Sequence, residues 1–323
     1  MKKIYLIIAI LATIFTSCEE YVESWGVNWV VCLKTLTGHT DWVVSASYSP
    51  DGTKIVSASS DNTIKIWDAN TGSCLRTLTG HTSFVNSASY SPDGTKIVST
   101  SGDKTIKIWN ANTGSCLKTL TGHTFQVLSA SYSPDGTKIV SASAGDDNIK
   151  IWSANTGTCL QTLTGHTTNV YSASYSPDGT KIVSASADNT IKIWNVNTGT
   201  CLQTLIGHTS SVESASYSPD GTKIVSASVD DNIKIWDANT GTCLKTLTGH
   251  NGSVYSASYS PDGTKIVSVS GGYTIEIWDA NTGTCLQTLT GYTDWVCSAS
   301  YSPDGTKIVS ASSDETIKIW GLE

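Results

Sequence analysis

Short runs of apolar and small residues, five or six long, alternate with turn signals along almost the whole chain after residue 31. In the stretch Gly38 to Thr79 the runs are Val43 to Tyr48, Lys54 to Ser59, Thr63 to Trp67 and Cys74 to Leu78. β-Branched residues such as Ile55 and Val56 favour extended backbone. Between the runs, Ser49-Pro50-Asp51-Gly52-Thr53 is a turn by composition, with Pro and Gly placed to set it. Asp61-Asn62 and Asn70-Thr71-Gly72 turn the chain again. The pattern predicts four short strands per stretch and an all-β chain.

That stretch is one of seven copies of a unit of 42 or 43 residues, and a fixed period of this size means a repeat architecture. One four-stranded sheet cannot bury both of its faces, whereas a ring of them can, each sheet packing on its neighbours. The runs are rich in Ser and Ala, as in Ser45-Ala46-Ser47 and Ser57-Ala58-Ser59, and small side chains let sheets approach closely near a central axis.

Gly38-His39, about 28 residues ahead of Ile66-Trp67-Asp68, resembles the WD40 repeat, and the match runs from Cys32 to Trp320. The third-run Trp recurs at Trp67, Trp109, Trp152, Trp194, Trp236, Trp278 and Trp320. The resemblance implies a seven-bladed β-propeller over residues 31–321. It also implies that each Gly-His histidine bonds an Asp and a Ser of its own blade, with the Trp completing the network. In the first copy these are His39, Asp61, Ser57 and Trp67, with Ser59 an alternative of the same strand parity. The seventh copy has Tyr292 in place of His and the sixth has Gly272 in place of Asp, so those two blades are expected to carry incomplete networks.

The last copy stops three residues after Trp320 and lacks a fourth run, while Cys32-Leu33-Lys34-Thr35-Leu36 matches that run and precedes the first copy. The expectation is that the N-terminal strand completes the last blade and closes the ring.

Residues 1–17 read differently. Met1-Lys2-Lys3 is basic, and Ile4 to Phe15 is an apolar run of twelve, too short for a spanning helix of about 20. Phe15-Thr16-Ser17-Cys18 resembles the bacterial lipoprotein signal, which implies cleavage after Ser17, a lipid on Cys18 and membrane anchoring. The alternative is an ordinary secretory signal and a secreted protein. Both readings export the chain, with residues 18–30 as a tether, to the periplasmic or cell-surface side.

Without Lys2 and Lys3 the chain has 18 basic and 27 acidic residues, which argues against nucleic acid as partner. The six histidines all belong to Gly-His pairs, so neither a metal site nor a catalytic histidine is expected. Nothing resembles a nucleophile elbow, a phosphate loop or HExxH, and no cofactor and no catalytic residue are assigned. Seven cysteines fall one per blade and read as small packing residues of the outer strands.

The copies differ at a few places. Two, three and five residues after each His, and just before the turn Asp, the side chains change from copy to copy. In a four-stranded meander these places lie at one end of the disc, and in WD40 propellers generally that end is the usual partner surface. The residues expected to bind a partner are Asp41, Trp42, Val44, Phe84, Asn86, Phe125, Gln126, Leu128, Asn169, Tyr171, Glu213, Tyr255, Tyr292, Asp294 and Trp295. Trp42 and Trp295 come from copies that become neighbours on closure, and aromatic anchors among polar residues suit recognition. The opposite turns stay almost fixed, which favours diversification for binding over neutral drift. The leading reading is a non-catalytic, monomeric, protein-binding scaffold. A lectin-like glycan-binding module and a structural component of envelope assembly are the alternatives.

Overall fold

The computed structural model describes residues 29–322, so the leader and Cys18 lie outside the described residues. The runs of the first copy form β2 (Val43–Tyr48), β3 (Lys54–Ser59), β4 (Ile64–Asp68) and β5 (Cys74–Leu78), paired in that order as an antiparallel sheet. β6 (Val85–Tyr90) to β25 (Cys285–Leu289) repeat the unit five times. The third strand of this copy starts one residue later than its composition suggests, after a turn in which Asp61 Oδ1 accepts bonds from the amide and hydroxyl of Thr63.

The seventh sheet is made from both ends of the chain. β26 (Val296–Tyr301), β27 (Lys307–Ser312) and β28 (Ile317–Leu322) are completed by β1 (Val30–Leu36), which pairs antiparallel to β28 with Cys32 opposite Trp320 and Leu36 opposite Ile317. The result is a closed ring of seven four-stranded blades. Lys318 Nζ donates to Thr35 Oγ1 across the new pair, and the Gln287 side chain bonds both backbone groups of Val30.

The core lies between blades. Val43, Ala46, Ile55 and Trp67 of the first blade pack on Val309, Ala311, Ile317 and Ile319 of the seventh, together with Leu36 from β1, and equivalent clusters fill the other six junctions. Small residues near the axis do more than permit close approach. Ser45 Oγ accepts the amide of Ala88, and the Ser47 hydroxyl donates to Ala88 O. Inner-strand serines join neighbouring blades in this way except at the sixth and seventh, where Ser258 Oγ has no partner among the described residues. The seam is joined alike, through Ser298 and Ser300 to Ala46.

A cavity of about 620 Å³ is lined by Tyr48, Ser49 and Pro50 and their equivalents. The turns there are self-contained. Asp51 Oδ1 accepts from the Ser49 hydroxyl and from the amide and hydroxyl of Thr53, which holds its carboxyl at about 2, and Gly52 sits at φ +70°. Each residue of this turn therefore has a structural task. The constancy of this end reflects that demand and does not need a functional explanation.

The cysteines correct an expectation. All eight among the described residues are free, and six of the seven on outer strands are exposed. Packing from those strands comes from Leu78 and its equivalents, which are buried. Deleting residues 30–37 removes buried Leu36 and the outer strand of the last blade. Losing one buried Leu alone costs about 2–5 kcal/mol. The truncated chain is expected to melt well below the full one by circular dichroism, and an unchanged melting temperature would contradict the closure.

Candidate functional site

The varied end of the disc is built on a hydrogen-bond chain inside each blade. His39 Nδ1 lies 2.7 Å from Asp61 Oδ2, His39 Nε2 lies 2.8 Å from Ser57 Oγ, and Trp67 Nε1 donates to the same oxygen at 2.8 Å. Because the indole can only donate, the Ser57 hydroxyl hydrogen is left for Nε2, and the imidazole donates from Nδ1 to Asp61. Burial pushes His39 below its ordinary value, in keeping with a neutral ring. Burial also pushes the Asp61 carboxyl up, but bonds from Thr63 and His39 outweigh it and leave Asp61 below the usual range. Ser59 has a separate role, donating to Asp41 O and accepting from the Asp61 amide. Asp61 also accepts the Thr40 amide at 3.2 Å, so the chain ties the loop before the first strand to the turn after the second. Those two segments carry most of the varied residues.

The seventh blade rebuilds its network with another residue, while the sixth stays partly incomplete, since His250 Nδ1 touches Glu276 without forming a hydrogen bond. In the sixth, Gly272 removes the carboxylate, but Glu276 Oε2 meets His250 Nδ1 from a third-strand position where the other copies have Lys. His250 keeps its 2.8 Å contact with Ser268. Burial pushes Glu276 up to about 7 and His250 down to about 4. In the seventh, Tyr292 fills the histidine's place. Its hydroxyl lies 2.6 Å from Ser310 Oγ, which also takes the Trp320 indole N–H, and it accepts the Lys318 amide. Tyr292 is therefore buried, at 8 % exposure, and does not belong to the partner surface assigned to it from sequence.

The remaining varied residues gather at one end. Ser60 N donates to Trp42 O and Ser313 N to Trp295 O, with the same bond in the other blades, so two of the varied sites of each blade are adjacent. Trp42, Phe84, Phe125 and Trp295 stand 50 %, 39 %, 51 % and 47 % exposed. The two Phe rings rest on glycine. A Cβ on Gly102 would lie 2.5 Å from the Phe84 ring, and one on Gly145 would lie 2.7 Å from Phe125. Asp41 is exposed and Asp294 half-buried, each accepting its own Trp amide at 2.8 Å. Gln126 and Asn169 are half-buried, and Asn169 Oδ1 accepts the Gly145 amide from the preceding blade.

The residues five places after each His lie deeper. Val44, Asn86, Leu128, Tyr171, Glu213 and Tyr255 are half-buried, and each falls at the register shift of its inner strand, where the partner strand has no counterpart. A bulged residue is released from pairing and its side chain is re-aimed, so it can vary without disturbing the sheet. Neighbouring blades meet here: Asn86 Nδ2 donates to Val127 O, and burial together with Glu213 and Cys297 raises the Tyr255 hydroxyl. Burial alone pushes the Glu213 carboxyl up to about 7. Sequence reasoning missed Tyr273, 43 % exposed at φ +63° in the turn after the second strand. Its signal was available, as the other copies have Asn, Asp, Lys or Glu there.

Residues 31–238 match the family model described as the TolB beta propeller domain. The chain belongs to the TolB beta propeller domain family. Residues 241–279 and 283–321 match the WD domain, G-beta repeat. No curated protein matches the chain. Within this propeller, among the described residues, no group of three His, Cys, Asp or Glu side chains is placed to hold a metal ion.

The exchange in the sixth blade gives a direct test of the network. Glu276→Lys restores the residue of the other copies, whose lysines reach the outer-strand Thr, and leaves His250 Nδ1 without a carboxylate, which should destabilise the propeller by about 1–3 kcal/mol. Gly272→Asp on that background should recover most of the loss, since a Cβ at Gly272 meets nothing closer than 3.7 Å. Denaturant melts of both variants would show this. A Glu276→Lys protein as stable as the parent would contradict the pairing.

Proposed function

We propose that this propeller is a non-catalytic scaffold that binds a protein partner through its varied end. The observation that carries this reading is the set of half-exposed aromatic rings, Trp42, Phe84, Phe125 and Trp295, standing on one end of a rigid disc. Large apolar rings left in water are costly unless used, and recognition surfaces favour such anchors ringed by polar groups. The support is the exposure itself. The constancy of the opposite turns no longer adds to it, because those turns are fixed by their own bonding. The hydrogen-bond chain of each blade gives the surface its rigidity, so little ordering cost falls on binding.

Export and lipid attachment at Cys18 complete the proposal, on the strength of the leader sequence, and place the disc beside a membrane as a monomer. Changing Cys18 to Ser in the full chain should move the protein from the membrane fraction to the soluble one, and an unchanged distribution would remove the anchor. For binding, chain from residue 19 onward would be used to capture partners, in parallel with a protein carrying Trp42→Ala and Trp295→Ala. Loss of one anchor at an interface centre costs about 2 kcal/mol or more, so the double variant should lose most of its captured partner. Equal capture by both proteins would count against the varied end. Binding of the parent to a glycan array, lost with Trp295→Ala, would favour a sugar ligand instead.

A further inference from the structure

The varied end is predominantly acidic. Its varied positions include Asp41, Glu213 and Asp294, and the residue after the turn Asp is Asp147, Asp231 or Glu315 in three blades, against a single Lys104. Lys104 is already engaged, its Nζ 5.9 Å from the centre of the Phe125 ring. The acidic side chains are concentrated where the two Trp stand. Asp294-Trp295 and Asp41-Trp42 occupy equivalent loops of the seventh and first blades, whose inner strands are joined by hydrogen bonds at the seam. In each loop one carboxylate oxygen holds the Trp amide at 2.8 Å, and among the described residues the other oxygen has no hydrogen bond. Glu315 is exposed in the adjoining turn of the seventh blade.

We infer, resting on the binding role proposed above, that the occupant of the seventh- and first-blade sector is a cationic segment of a partner protein, with Arg or Lys side chains set on Trp42 and Trp295 and paired with Asp41 and Asp294. Aromatic faces attract cations through the ring quadrupole, and guanidinium groups can stack on an indole while bonding a carboxylate at their edge. The surface already makes one such contact within itself, Lys104 of the second blade on Phe125 of the third. An acidic segment would meet carboxylates with only Lys104 of the next blade to offset them, and a purely apolar one would leave the two free carboxylate oxygens unused.

The probe is a labelled ten-residue peptide of alternating Arg and Gly, with a second peptide carrying Glu at every Arg position. Both are titrated by fluorescence anisotropy into chain from residue 19 onward, at low salt and at 0.15 M, where the Debye length is about 8 Å. The Arg peptide should bind saturably and weaken with salt, and the Glu peptide should not bind. Asp41→Asn with Asp294→Asn keeps an oxygen for each Trp amide, so the loops should persist while affinity for the Arg peptide falls up to roughly tenfold, as expected for two exposed charge pairs. Trp42→Ala with Trp295→Ala should weaken it further. Equal binding of the two peptides, no binding of either, or full affinity in the Asn variant would overturn the cationic occupant. If the Trp variant loses a captured protein that the Asn variant retains, the varied end stands as a binding surface and only the charge assignment falls.

Discussion

The pairing of β1 with β28 is the constraint on which the other features depend. It is the one sheet contact made between chain segments nearly 290 residues apart, and it converts a linear array into a ring. An open array would leave the first and last blades with an uncovered face each, where the cluster of Leu36, Val43, Ile55, Ile317 and Ile319 now lies. Closure also brings the Asp-Trp loops of the first and seventh copies onto adjacent blades. A feature that is split between the two ends of the sequence becomes one patch only through this contact.

Within the ring, order is maintained by the same three-sided chain in each blade, and its tolerance is instructive. The chain needs a donor or acceptor that reaches the buried Ser, a partner for the far side of the His, and an indole N–H. The sixth blade meets the second need only in part, with Glu276 from a different strand, and the seventh meets the first with Tyr292. In the seventh the buried Ser310 was kept supplied by a change of residue type, as the cost of an unsatisfied buried polar group demands, whereas in the sixth His250 Nδ1 has only a contact with Glu276 and no hydrogen bond among the described residues. The tie to the rim is looser in the seventh, where Thr293 N reaches Asp314 at 3.4 Å. The seventh blade borders the seam and the sixth stands next to it, so local variation falls close to the ring closure.

Much of this was legible in the sequence because each blade repeats one solution. The period, the recurrent Trp and the displaced Cys32-to-Leu36 run led to blade number, strand order and closure. What could not be read were relations that depend on depth and neighbours. Gly272 looked like a lost partner because its replacement, Glu276, stands four residues on and on another strand. Tyr292 looked like a surface aromatic because its burial comes from Ser310 and Lys318 on strands further along the chain. The seven outer cysteines looked like packing residues, but the outer strands face solvent along most of their length and bury mainly their last Leu. The variable residue five places after each His was legible as variable, yet its cause, a bulge in each inner strand, needed the register.

The most direct test of the central claim is hydrogen exchange in the free protein. In a closed ring, the amides of Lys34 to Leu36 and of Ile317 to Ile319 should be protected to the degree seen for the equivalent outer pair, Arg76 to Leu78 with Ile64 to Ile66. If instead the segment from residue 30 to 37 exchanges as freely as an unpaired tail while the first six blades remain protected, the ring is open at its seam and the joined Trp42–Trp295 sector does not exist.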